Sequence, residues 1–345
     1  MSARNRELAG LIPASLLVTA GFAGVFIQRS NVLSNVSLTY GAIFLGLCLA
    51  GHVVIRLTLP YADPYMFPLI AALASFGLVM VYRIDPTLAR QQAQWFVLGL
   101  ILFAATIIGF RDYRKLERYR YTIVLVSLGL LVLPRVPGIG YSANGAYLGI
   151  RIPGLFVFQP VEFAKIGLVI FLASYLRDTR QVLVTGGRRI LGVTLPPIKH
   201  FGPIIVIWGM AMVIMVLLSD IGSSLMFYGG LLTMLYIATG RLSFVTIGLL
   251  AFVLGAWYLG THIPHVNARF EDWLHPFGPL YDKPLGSYQI ANGVFAQAAG
   301  GMFGQGFGQS ILMIPGSHPA APLLPYASTD MIYAVITDEL GLFGA

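Results

Sequence analysis

Charge is what this chain has least of. Only 10% of its 345 residues are Asp, Glu, Lys or Arg, and acids number 14. A surface so poor in charge cannot keep a soluble domain of this size in water, which excludes the ordinary soluble classes. Cysteine is nearly absent as well. Cys48 is the only one, so a disulfide within the chain and a thiolate metal site are both excluded. Internal repeats and low-complexity tracts are lacking too. What fills the chain is apolar residues, at 57%, with a mean hydropathy of +0.78. That balance predicts an all-α polytopic membrane protein. The net charge of +8 does not point to nucleic acid, because the basic residues are confined to particular inter-helix loops.

Apolar runs long enough to span a bilayer fall at 8–28, 37–58, 66–83, 93–110, 119–134, 160–176, 202–219, 221–239 and 243–261. A tenth run starts near Asp330. The first follows Arg4 and Arg6 and reads as an uncleaved anchor. With the N-terminus in the cytoplasm, 14 Lys and Arg fall on the inner side and 7 on the outer, with Lys165 inside a span. The positive-inside bias therefore places the long loop 262–327 outside the cytoplasm. ATP is not available there, so an enzyme needs a substrate that carries its own leaving group. The basic stretches 111–120 and 177–201 are accounted for by topology alone.

Loops of this length between spans are usually functional. This one holds Asp282, in the turn Tyr281-Asp-Lys-Pro-Leu-Gly-Ser-Tyr-Gln289. An acid before Pro and Gly is a common turn residue. Beside apolar walls at a membrane surface it is also a candidate general base. Gln159-Pro-Val-Glu-Phe-Ala-Lys165 opens the sixth span. Pro160 and Glu162 suit a helix start, and Lys165 shares a face with Glu162. An intramembrane Lys is a functional candidate, fit to meet an anionic lipid head group. Asp330 is expected to cap the last segment. Asp338 and Glu339, about two turns deeper, suit a polar contact to another helix as well as they suit function. Gly300–Gly308 resembles a phosphate loop, but no strand precedes it, and tight backbone packing is the better reading. Apolar residues at 290, 291, 294, 295 and 298 predict an amphipathic interfacial helix. His262, His265, His275 and His318 form a weak zinc pattern, interrupted by Pro264.

Taken together, these segments resemble the SEDS family, the RodA/FtsW/SpoVE cell-wall polymerases. The 159–165 stretch resembles its Gln-Pro-Ser-Glu-Phe-Ala-Lys motif. Asp220-Ile-Gly-Ser-Ser224 is similar to Asp-Leu-Gly-Thr/Ser-Ser. Asp282–Gln289 resembles Asp-Pro-x-Gly-x-Gly-Tyr-Gln. The glycines at 300, 301, 304 and 306 follow at the family's spacing. Thr329–Tyr333 and Asp338–Gly341 resemble Thr-Asp-Phe-Ile-Phe and Glu-Glu-Leu-Gly. The matches cover about 66–345 and leave 1–65 as an extra N-terminal helix pair of the actinobacterial type. Three departures stand out. Lys283 is inserted after Asp282. Residues 144–149 lack the family's Arg and Trp. The family's last two spans are missing, so the chain is expected to be C-terminally truncated.

The resemblance implies a SEDS-type helical bundle with a large extracytoplasmic loop, and a peptidoglycan glycosyltransferase that polymerises lipid II. Asp282 matches the catalytic aspartate. Glu162 and Lys165 match cavity residues, and Gln289 and Asp330 lie in matched motifs as substrate-binding candidates. The departing pyrophosphate needs a cation: Lys165, Arg151 or Arg269, or a divalent ion such as Mg or Mn. The expected partners are lipid II, membrane lipid and a single-span class B penicillin-binding protein (a transpeptidase), with no nucleic acid. Two other readings use the same residues. One is a flippase for lipid-linked precursors, using Glu162, Lys165, Asp220 and Asp330. The other is a catalytically silent structural subunit.

Overall fold

The structure is a computed structural model. It describes residues 2–345 except 31–34, 111, 144–145, 152–156, 186–187, 191–192, 196, 280, 282–285, 315 and 317–320. Two compact units emerge. The first joins 1–111 to 260–345, and the second is 112–259.

The first unit contains α1 (Ala3–Ser30), α2 (Asn35–Thr58), α3 (Met66–Ile84) and α4 (Pro86–Gly109). Asp85 starts α4: its carboxylate accepts from the amides of Thr87 and Leu88, and Pro86 occupies the first turn. That cap explains why α4 begins seven residues before the apolar run at 93. Small residues let α1 lie close on α3, since a Cβ at Gly10 would stand 2.9 Å from Pro68. Their shared core buries Leu11, Val18, Phe22, Phe44 and Val79. Near the start of α1, Arg4 bonds Glu7 and the carbonyl of Ala62, while His52 Nδ1 lies 2.7 Å from Glu7 Oε1. All three side chains are buried. Burial demands such mutual pairing, and it fastens the helix pair at one end.

The second unit contains α5 (Lys115–Arg118), α6 (Arg120–Val132), a 3-10 turn (Leu133–Arg135), α7 (Pro160–Thr185), α8 (Ile198–Leu217) and α9 (Ile221–Thr239). It also holds most of α10 (Leu242–His262). Asp220 caps α9 by accepting from Ser223 N, and Gly240 ends it at φ +66°. Leu131, Leu168, Phe171 and Met215 are wholly buried between α6, α7 and α8. Trp208 Nε1 donates to the Phe227 carbonyl at 3.0 Å, which satisfies the one polar atom of a buried ring.

The connections hold strands that periodicity did not reveal. β1 (Gly140–Ala143), β2 (Ala146–Arg151) and β3 (Val157–Phe158) form an antiparallel sheet in that order. β4 (Arg188–Ile190) and β5 (Val193–Leu195) form a hairpin. The remaining elements, α11 (Pro264–Leu274), α12 (Tyr288–Gly300) and α13 (Ile332–Gly344), belong to the first unit.

Among the described residues six helices are long and apolar enough to cross a membrane. α10 makes the point best: Leu250, Val253, Leu254 and Trp257 all stand exposed. A helix apolar all round yet exposed belongs in lipid. The chain is a multi-pass helical membrane protein with minimal sheet.

Candidate active site

The sixth predicted span is α7, and its first turn carries the Glu162–Lys165 pair. Pro160 stands at the helix start, buried, where its missing N–H costs nothing. One turn on, Lys165 Nζ donates to Glu162 Oε1 at 2.6 Å. The pair is open: the Glu162 side chain is 54% exposed and Lys165 21%. The face of α7 turned away from it is fixed. Gly167 lies so close to Ser127 of α6 that any Cβ would collide with the hydroxyl. Just before α7, Arg151 ends β2 opposite Val157 of β3. Its side chain lies outside the described atoms.

The other candidates lie in the first unit. Asp282 itself, with Lys283, is outside the described residues. Its turn is framed by Tyr281, whose ring lies 5.3 Å from that of Tyr288, and by Ser287, which is wholly buried. Gln289 follows, half-buried in the first turn of α12. Arg269 is exposed on α11. Asp330 is exposed as well, and it does not cap α13: Met331 takes that position, with no side-chain cap. The backbone turn Tyr326–Met331 ends the loop instead, with Thr329 N and Met331 N both donating to the Tyr326 carbonyl. The open pair lies in one unit, and Arg269, Gln289 and Asp330 in the other.

Asp272, one turn past Arg269, escaped the sequence reading. It is 2% exposed, and its Oδ1 has no hydrogen-bond partner among the described residues. Burial pushes its carboxyl above the ordinary range, and the Arg269 charge offsets part of that rise. No spacing rule marks it: six residues past buried Val266, at about 100° per residue, Asp272 stands roughly 120° round α11 from that face. The loop also holds the expected amphipathic helix, α12. It buries Ala291, Asn292 and Gly293 and leaves Val294 and Phe295 exposed, so of the apolar positions that predicted it only Ala291 is fully buried. His262 pairs with the hydroxyl of Thr261 at 2.8 Å, and no metal-holding group of three ligands occurs among the described residues.

The glycine-rich stretch is a packing seat. Gln305 N and Gly306 N donate to the carbonyls of Asp338 and Glu339 at 2.9 and 3.0 Å. Leu342 N and Phe343 N donate back to Gly301 and Met302. At Gly304 φ is +78°, and a Cβ would strike the Glu339 carbonyl, so only glycine fits there. Below this seat Arg83 of α3 meets Glu339 at 2.8 Å and donates to the carbonyls of Gly308 and Ser310. The polar contact expected of Glu339 is therefore a buried one, to α3.

A multi-pass helical membrane protein with minimal sheet, an open Glu–Lys pair at one helix start and a long loop seated by glycines define the class. The chain belongs to the FtsW/RodA/SpoVE family, whose model, described as a cell cycle protein, matches residues 64–345. A curated relative, the peptidoglycan glycosyltransferase RodA of Mycobacterium leprae, is 36% identical over 99% of this chain and 72% of its own length. Stage V sporulation protein E of Bacillus subtilis is 30% identical, over 79% of this chain and 71% of that protein. A solved chain from a peptidoglycan synthase complex aligns with a TM-score of 0.55 at 24% identity, covering 80% of this chain and 70% of its own. That likeness supports the fold.

Proposed function

We propose that this chain is a peptidoglycan glycosyltransferase that polymerises lipid II in the bacterial plasma membrane, with its N-terminus inside and 262–327 outside. The observation that carries the reading is 36% identity to RodA along 99% of the chain. Asp282 acts as general base. It takes the proton from the 4-hydroxyl of an acceptor GlcNAc unit, because that hydroxyl alone is a weak nucleophile. The oxygen forms a bond to the donor's anomeric carbon, which inverts. The bond from that carbon to the pyrophosphate oxygen breaks, and polyprenyl pyrophosphate leaves with the electron pair.

Lys165 meets the departing charge. Its present partner, Glu162, is an exposed carboxylate whose hold is weak, so a pyrophosphate can displace it. Arg151 and Arg269 are further cations for the same role. A divalent cation, if bound there, would supply the same charge stabilisation. A single-span class B penicillin-binding protein is the proposed partner. The transporter reading loses a support here, because Asp220 is committed to capping α9.

The test is polymerisation of labelled lipid II by the detergent-purified protein with its transpeptidase. Asp282→Asn is expected to lower the rate by about 10²–10⁴ while leaving lipid II binding nearly intact. Glycan strands made at the wild-type rate would remove Asp282 from the mechanism.

A further inference from the structure

The helix pair α1–α2 encloses, with α3 and α4, a cavity of about 450 Å³ that the proposed chemistry does not use. Five rings wall it: Phe22, Tyr40, Phe44, Tyr82 and Phe96. They hold one another in place. Phe22 lies 4.8 Å from Tyr82 and 5.0 Å from Tyr40, and Phe44 stacks on Phe96 at 5.3 Å. Such a wall is preformed and apolar, and the volume is in the range of small-ligand sites.

Two polar side chains open onto it, Arg90 and Gln94 of α4. Four residues apart, they stand one above the other on the same face. Both are exposed, and neither has a hydrogen bond or ion pair among the described residues. Arg90 is about 6 Å along the axis from Pro86, at 1.5 Å per residue. At that depth an arginine reaches the head-group level while its stem lies among apolar groups. An unpaired cation at the mouth of an apolar slot calls for a ligand with an anionic head and a hydrocarbon tail.

We propose that this cavity binds an anionic membrane phospholipid, with its phosphate on Arg90 and one acyl chain between the rings. Phe22, Tyr40 and Phe44 precede residue 64, where the family match begins. The helix pair therefore gives the family core a lipid site that the matched region alone would not form.

Native mass spectrometry of the detergent-purified full chain tests this, with phosphatidylglycerol and phosphatidylethanolamine of identical chains. The wild type should retain phosphatidylglycerol about tenfold better, the factor one charge-assisted contact supplies. Arg90→Gln should erase the preference and Arg90→Lys keep most of it. Ala93→Trp, at a lining position, should lower retention of both lipids. Equal retention of the two lipids by the wild type, or a preference that survives Arg90→Gln, would overturn the proposal. So would tighter retention of polyprenyl phosphate than of phosphatidylglycerol. If Ala93→Trp does not fold, the Arg90 variants still decide, because that exposed side chain has no hydrogen bond or ion pair among the described residues.

Discussion

Two ion pairs of this protein have nearly the same length and opposite meanings. Arg83 and Glu339 meet at 2.8 Å with side chains 10% and 0% exposed, 256 positions apart in sequence. Lys165 and Glu162 meet at 2.6 Å within one helical turn, and Glu162 is more than half exposed. Arg83 also serves two carbonyls of the glycine stretch, so it holds loop, α3 and α13 together. Among the described residues the open pair has no partner but itself. Removing one partner of a buried pair leaves a charge stranded, at about 3–5 kcal/mol. An exposed pair contributes about 0–1 kcal/mol. Distance alone therefore does not separate a brace from a binding group; burial and additional partners do.

The comparison breaks most readily at Arg83. Arg83→Ala should destabilise the protein by about 3–5 kcal/mol, seen as loss of folded protein in membranes or a large fall in thermal midpoint. A variant as stable as wild type would show that the pair braces nothing. Next is Gly304→Val. The left-handed backbone alone costs a side chain about 1–3 kcal/mol, and the collision with the Glu339 carbonyl adds to it. Thermal unfolding should show a loss of at least that size.

Asp272 sharpens the comparison from the other side, as a buried carboxylate with an unpartnered oxygen. Its folded-state pKa lies above the unfolded one. The native state therefore holds the proton more tightly, and this group's contribution to stability falls as pH rises from the ordinary carboxylate range through the folded value. Asp272→Asn should raise the thermal midpoint at neutral pH by a few degrees, roughly 1 kcal/mol for a protein of this length. The gain should vanish at pH below the ordinary carboxylate range. A constant difference across pH would mean that the charge is not the cause.

What the sequence made legible was local. Six of the nine predicted spans, the Glu162–Lys165 pair, the helix at 288–300 and the packing role of the glycines all rest on spacings of a few residues, which periodicity records. The Asp85 cap shifted α4 because a cap sets a boundary that hydropathy does not see. Strands β1–β5 were missed because runs of two to six residues carry too little alternation. The Arg83–Glu339 brace joins positions that only the fold brings together. Asp330 was expected at a cap and stands one residue short of it, because α13 opens from Met331.

The central claim is that the open pair is there for the substrate, and one variant tests it. Lys165→Ala should cost less than about 1 kcal/mol of stability, so the purified protein should unfold within a few degrees of wild type. With labelled lipid II and the transpeptidase present, the same variant should polymerise at least about tenfold more slowly, since a charge-assisted contact to the departing pyrophosphate is gone. Wild-type turnover, or a loss of activity that only follows a loss of folded protein, would contradict the account.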